Sequence, residues 1–435
     1  MKRFLGFFLA IFILFACNSI DEITPIIGSV NLDDLIEKDT VTLLIVSVDP
    51  SFQTSQSDDW IFISNPEGHV LGAKRFESEE VFTMKAYIES KTPYVNVSLL
   101  QVLNSGSRTL FNLRSYADIK RAKKWHISRL VEEKRKFIGN INIKINNSPR
   151  PTTTHYQVSD DFGGQSFSSI YSNGITTLVF NLFESVSKIG VTVATNSNEV
   201  KFLEINNPSI FGDYTFDYYN DFDFPTHHAV ISLPQNNYVF ATVRGLMDLS
   251  YNKRIRFKGL AQSESMFING ADKIAMGYNN GFPYYFTELT LNRPGYLYHY
   301  EKLGDSPVLD GISIPENPIS INSNIFSSFT ISGADDHEHQ ESSWDWTETV
   351  DGKEHILKWI VNCPLNKHPV FLELPGEIEF EYPFLDFDYD RMYLETANVI
   401  NNISDYSYED MVENFNKSNE EDYRPYEYEK ITVRN

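Results

Sequence analysis

Trp344-Asp345-Trp346-Thr347-Glu348-Thr349-Val350-Asp351-Gly352-Lys353-Glu354-His355-Ile356-Leu357-Lys358-Trp359 carries the clearest structural instruction in the chain. Asp-Gly suits the two central positions of a type I′ turn, where both residues need positive φ. Closing a hairpin on Asp351-Gly352 pairs Val350 with Lys353, Trp346 with Leu357 and Trp344 with Trp359. Asp345 then opposes Lys358 on the other face. Side chains alternate between the two faces of a strand, so Trp344, Trp346, Leu357 and Trp359 share one surface. An aromatic pair across strands contributes about 0.2–1 kcal/mol.

The same pattern repeats outward from this hairpin. Val41 to Val48 is an apolar run closed by Asp49-Pro50. Trp60-Ile61-Phe62-Ile63 meets Asn65-Pro66-Glu67-Gly68 and then His69-Val70-Leu71, a hairpin signal in which Pro presets φ and Gly supplies positive φ. Val95 to Val102 and the cleanly alternating Phe137 to Ile145 complete a first β unit. Ser148-Pro149-Arg150-Pro151-Thr152-Thr153-Thr154 reads as a linker. Further strands are expected near Thr176 to Phe183, Ile189 to Ala194, Val200 to Ile205, His228 to Leu233 and Tyr238 to Val243, with turns at Asn269-Gly270 and Asn280-Gly281. Helices are scarce: Ser407 to Phe415 reads as one short capped helix. Ser115 to Phe137 fits either a helical face or strands.

The composition agrees. The chain has 435 residues, 41% apolar and 22% charged, with 32 Phe and 24 Tyr. Aromatic residues in that number favour strands. At about 150 residues per domain the length predicts about three domains. The expected fold is all-β, with several antiparallel β-sandwich-like domains in tandem and few short helices. The expected boundaries are 40–147, 148–303 and 304–415, followed by a polar tail over 416–435. Lys plus Arg is 37 and Asp plus Glu is 59, a net charge of −22, which repels phosphate backbones and excludes nucleic acid as a natural partner. The basic stretch from Arg114 to Lys136 reads as a solvated face.

The N-terminus places the protein. Lys2 and Arg3 precede an apolar or small run from Phe4 to Phe15. Twelve residues rise only about 18 Å as a helix, too short to span a bilayer, and the pattern reads as a secretory signal over 1–16. It ends Leu14-Phe15-Ala16-Cys17, which resembles the lipobox of bacterial lipoproteins. The resemblance implies cleavage before Cys17 and diacylglycerol on its sulfur, with residues 17–39 as a tether. Each buried acyl CH₂ contributes about 0.8 kcal/mol, so several chains hold firmly. Asp21 and Glu22, close behind, resemble the surface-export signal of Bacteroidota-type lipoproteins. The implied location is the outer membrane, lipid-anchored and facing the medium. Lipidation of Cys17 leaves Cys363 as a lone thiol beside an apolar run, expected to be buried.

Several clusters carry candidate chemistry. Asp335-Asp336-His337-Glu338-His339 is dense in ligand types, and His337 and His339 share a face on a strand, suiting Zn²⁺. The sequence is not HExxH. Asp386, Asp388 and Asp390 alternate with Phe387 and Tyr389, and on a strand the three carboxylates share a face open to Ca²⁺. An acidic or polar solvated face explains both clusters equally, and no cofactor is required. Phe211 to Phe224 holds seven aromatics and four Asp, including Tyr214 and Tyr218, with His227 and His228 following. Exposed rings beside carboxylates are what sugar recognition needs; buried rings are core. The surface of Trp344, Trp346 and Trp359 poses the same choice: an open platform binds, a covered one packs. No GxSxG elbow, Walker A loop or GxGxxG is present. The expected function is non-enzymatic binding of a glycan or protein at the cell surface. The competing readings are a surface polysaccharide hydrolase using two of the many carboxylates and a structural subunit of an envelope assembly.

Overall fold

The computed structural model describes residues 40–50, 52, 57–87, 93–128, 135–162, 164–166, 169–195, 199–249, 251–252, 256–257, 259–268, 270–307, 312–316, 319–334, 337–371, 373–416 and 424–435. The signal, Cys17, the tether, Asn269, Asp335 and Asp336 lie outside them. Packing separates Met1–Val41 with Tyr87–Lys91 from Thr42–Ala86 with Thr92–Asn435. Nearly all described residues belong to the second of these units.

The fold is all-β. Its main element is a 12-stranded sheet. The strands run in the order Leu260–Ile268, Tyr238–Leu246, Tyr284–Arg293, Tyr296–Gly304, Tyr426–Arg434, Tyr393–Asn402, His339–Val350, Lys353–Pro364, Arg108–Lys120, Tyr94–Ser105, Ser57–Ser64 and Val70–Arg75. At its centre stands the hairpin closed by Asp351-Gly352. Val350 pairs with Lys353, Trp346 with Leu357, Trp344 with Trp359 and Asp345 with Lys358. Asp351 and Gly352 have φ of 52° and 79°, as a type I′ turn demands. The 65–68 turn also forms, with Gly68 at φ 95° donating its N–H to the Asn65 carbonyl.

Pairing beside the hairpin departs from chain order. Lys353–Pro364 lies parallel to Arg108–Lys120, and Tyr426–Arg434 is antiparallel to both Tyr296–Gly304 and Tyr393–Asn402. The segment expected as a polar tail therefore supplies an interior strand. Its Glu and Lys side chains disguise it: Tyr298 and Tyr300 donate to Glu429 and Glu427 across the strands, so these carboxylates sit in the sheet with partners. The sheet draws strands from all three expected domains, and residues 148 and 304 do not divide it.

A true sandwich covers the region from Phe137 to Asp217. One layer orders Gln165–Ser166, Thr154–Asp160, Lys188–Thr195 and Glu199–Asn206; the other orders Ser169–Ser172, Ile175–Phe183, Phe137–Asn146 and Asp213–Asp217. Ile141, Ile143 and Ile145 face Val158, Val191 and Val193 across the core. Phe137–Asn146 thus belongs here rather than to the first β unit. Ser148 to Thr154 is not an interdomain linker; it is a short 3-10 turn joining the two layers, with the Ser148 N–H bonded to the Gly174 carbonyl. Within the Ser115 to Phe137 stretch, strands end at Lys120 and resume over Lys123–Ile127, the latter parallel to Thr40–Val48. The helix over Tyr408–Phe415 is capped as expected, Ser407 and Asp410 forming a capping box.

The principal core lies on one face of the large sheet. Trp344 and Trp359 are fully buried there, packed against the rings of Phe326, Phe329 and Phe371. Cys363 is buried in the same sheet, and burial pushes its thiol up to about 12. Among the described residues no helix is long and apolar enough to cross a membrane.

Candidate functional site

The aromatic and acidic segment that succeeds the sandwich is split by its turns into a buried half and an exposed half. Strand Asp213–Asp217 runs parallel to Phe137–Asn146 and turns Tyr214 and Phe216 inward, their rings stacked at 6.4 Å. The Tyr214 hydroxyl also accepts the Ser209 N–H at 2.7 Å. Asp213 is turned outward, bonded to the Asn142 amide. The chain then folds back around Asp217. That carboxylate accepts the backbone N–H groups of Tyr219 and Asn220 at 3.0 and 3.1 Å and the Asn220 amide at 2.9 Å. Asp221 in turn accepts the Asp217 N–H at 2.6 Å. The Asn147 amide, and then these N–H groups, hold the Asp217 carboxyl below the ordinary carboxylate range. Phe202 and Asp223 close the loop with a two-way backbone bridge.

This turn sends neighbouring rings in opposite directions. Tyr218 is buried, packs on Phe222 at 6.0 Å and donates to Glu199 at 2.7 Å. Burial, reinforced by that carboxylate, pushes its phenol well above the usual range. Tyr219 and Phe224 face solvent, 69% and 53% exposed. Beneath them the Lys201 ammonium lies 4.7, 5.7 and 5.2 Å from the ring centres of Tyr218, Tyr219 and Phe224, a set of cation–π contacts that fixes the rings as a group. Lys201 comes from the sandwich strand Glu199–Asn206. Phe224 also stacks on the exposed His228 at 5.9 Å, while His227 stacks on Tyr278 at 4.7 Å and meets Asn280 at 3.1 Å. The result is a surface of two open rings, flanked by Asp221 and Asp223, on a loop held from below.

The other candidate residues serve packing. Trp344 and Trp359 are 0% exposed, so the expected platform is a floor beneath other residues. Their indole N–H groups donate to Ser342 at 2.9 Å and Ser115 at 3.0 Å, which satisfies the polar edge of each buried ring. Phe326 sits 5.1 Å from Trp344, and Phe371 sits 4.6 Å from Trp359. Trp346 is half-buried between Phe387, stacked at 5.2 Å, and the Arg391 guanidinium at 4.4 Å. Tyr214 and Tyr218 are likewise committed to the sandwich.

Neither expected metal site assembles among the described residues. His339 is 0% exposed behind Tyr408, and burial holds its imidazole down to about 3. His337 precedes the strand His339–Val350 rather than sharing its face. Asp386, Asp388 and Asp390 are exposed, but they lie around two 3-10 turns rather than on a strand. Asp388 caps the second turn, and Asp390 accepts the Ser327 N–H and hydroxyl, both at 2.8 Å. Alternation of Asp with rings mimics a strand; Pro383 and the caps make turns.

The sequence pattern groups all seven rings of Phe211 to Phe224 together and gives no sign of Lys201. The usable signal is Asp217-Tyr218-Tyr219-Asn220, because an Asp followed by such residues marks a turn by accepting the backbone N–H groups just ahead of it.

No protein-family model and no curated protein matches the chain. Among solved structures there is similarity to a crystal structure from Bacteroides ovatus described as a candidate adhesin. Identity is 11%, covering 45% of this chain and 96% of that one, with a TM-score of 0.15. At that score the likeness carries no functional inference.

Proposed function

We propose that this protein is a surface lipoprotein, held in the outer membrane by lipid on Cys17, that binds glycan without chemically altering it. The observation that carries the binding reading is the pair of open rings, Tyr219 and Phe224, on a braced loop beside Asp221 and Asp223. Rings stack on the apolar faces of sugars while carboxylates accept hydroxyl protons. The braces matter because a loop fixed beforehand loses less freedom on binding. The lipobox-like end supports the anchor.

Two measurements test the reading. Mass spectrometry of the N-terminal peptide is expected to find a diacylglyceryl group on Cys17; an unmodified thiol overturns the anchor. The full chain in detergent, titrated with a panel of soluble polysaccharides, is expected to bind at least one. Tyr219→Ala with Phe224→Ala is then expected to abolish binding while the chain stays folded, its stability lowered by only about 1–2 kcal/mol through the two lost cation–π contacts with Lys201. Binding that survives the double substitution overturns the site.

A further inference from the structure

We propose that Ser47, His126 and Asp49 form a second site, a nucleophile, base and carboxylate arranged for acyl transfer from carboxylic esters. It is independent of the aromatic surface. Parallel pairing of the strands Thr40–Val48 and Lys123–Ile127 sets Ser47 directly beside His126. Ser47 Oγ lies 2.9 Å from His126 Nδ1. Asp49, just past the strand end, places Oδ2 3.2 Å from His126 Nε2. The two contacts span 79 and 77 residues of sequence, which is why no local motif announces them.

The carboxylate decides the tautomer. Ionised Asp49 only accepts, so Nε2 carries the proton and Nδ1 presents its lone pair to the serine hydroxyl. That is the arrangement a general base needs, with the roles of the two ring nitrogens exchanged relative to the usual triad. Backbone bonds fix the members. His126 N–H donates to the Asn416 carbonyl at 2.8 Å, Asp49 N–H to the Ile127 carbonyl at 2.8 Å, and Phe52 N–H to the Asp49 carbonyl at 2.9 Å. The side chains of His126 and Asp49 are 19% and 20% exposed, so the group is shielded yet reachable. Of the three, His126 also lines a cleft of about 270 Å³, while Ser47 and Asp49 stand outside its lining.

Ser47 Oγ attacks the ester carbonyl as its proton passes to His126 Nδ1. The C–O bond to the alcohol breaks, and the alcohol leaves with that proton. Water, deprotonated by His126, then cleaves the acyl-serine to a carboxylic acid and restores the hydroxyl. Asp49 is a positioning residue throughout.

The test treats the full chain with an alkyl fluorophosphonate and maps the adduct by peptide mass spectrometry, alongside hydrolysis of p-nitrophenyl butyrate. The adduct is expected on Ser47. Hydrolysis is expected to fall at least ~100-fold in Ser47→Ala and His126→Ala. Asp49→Asn is expected to lower kcat by about tenfold while leaving KM within a factor of about two, because it disturbs the orientation of His126 and not the binding of the ester; a merely structural role moves both together. Labelling absent from Ser47, or hydrolysis equal in the wild type and Ser47→Ala, overturns the proposal. If Ser47→Ala fails to fold, the labelling result on the native chain decides.

Discussion

Trp359→Ala separates a core tryptophan from a binding platform. The ring is fully buried, with Phe371 at 4.6 Å, Phe326 at 4.7 Å and Tyr389 at 5.3 Å. Truncating a buried Trp to Ala costs about 3–5 kcal/mol through lost transfer energy and the cavity left behind. The aromatic neighbours push the value to the upper half of that range, since each such pair adds about 0.5–1.5 kcal/mol beyond area. The lost N–H bond adds little, because the Ser115 hydroxyl it served keeps the Ser98 hydroxyl at 2.7 Å. Trp359→Phe, which keeps most of the ring, is accordingly expected to cost far less, about 1–2 kcal/mol. Urea denaturation monitored by far-UV circular dichroism reads both, with the midpoint falling in the order wild type, Phe, Ala. A loss below about 1 kcal/mol for Trp359→Ala refutes the burial argument. So does a loss of glycan binding at unchanged stability, which would restore the platform.

Two further outcomes rest on the same packing. Removing residues 424–435 takes out a strand with neighbours on both sides and uncovers two edges, so the truncated chain is expected to be insoluble or aggregated by size-exclusion chromatography; a monomeric, folded truncation would show that the strand is dispensable. His339 has a folded value held down to about 3 against an ordinary 6.5, so the unfolded chain binds a proton that the folded one refuses. Its contribution is complete above pH 6.5 and is lost as pH falls from 6.5 toward 3. His339→Leu is expected to flatten that limb of the stability–pH curve, and an unaltered limb would count against a neutral, buried imidazole.

What was legible in the sequence was what neighbouring residues decide among themselves. Asp351-Gly352 set a turn and, through the period of two, the register of twelve paired residues on each side. Ser407 and Asp410 capped a helix because both partners lie within one turn. The run Phe137 to Ile145 declared one wet and one dry face. Function was less legible. Tyr218 and Tyr219 are adjacent and chemically identical, and only the Asp217 turn makes one core and the other surface.

Tertiary structure decided everything that depends on what arrives from afar. Trp344 and Trp359 became core because Phe326 and Phe371 fold over them, and nothing near the hairpin encodes that arrival. Tyr426–Arg434 became an interior strand because Tyr298 and Tyr300 accommodate its glutamates. The physical reason is common to both cases. Turn geometry and strand alternation are fixed by covalent neighbours, whereas burial is the removal of a side chain from water by whichever segment comes to cover it.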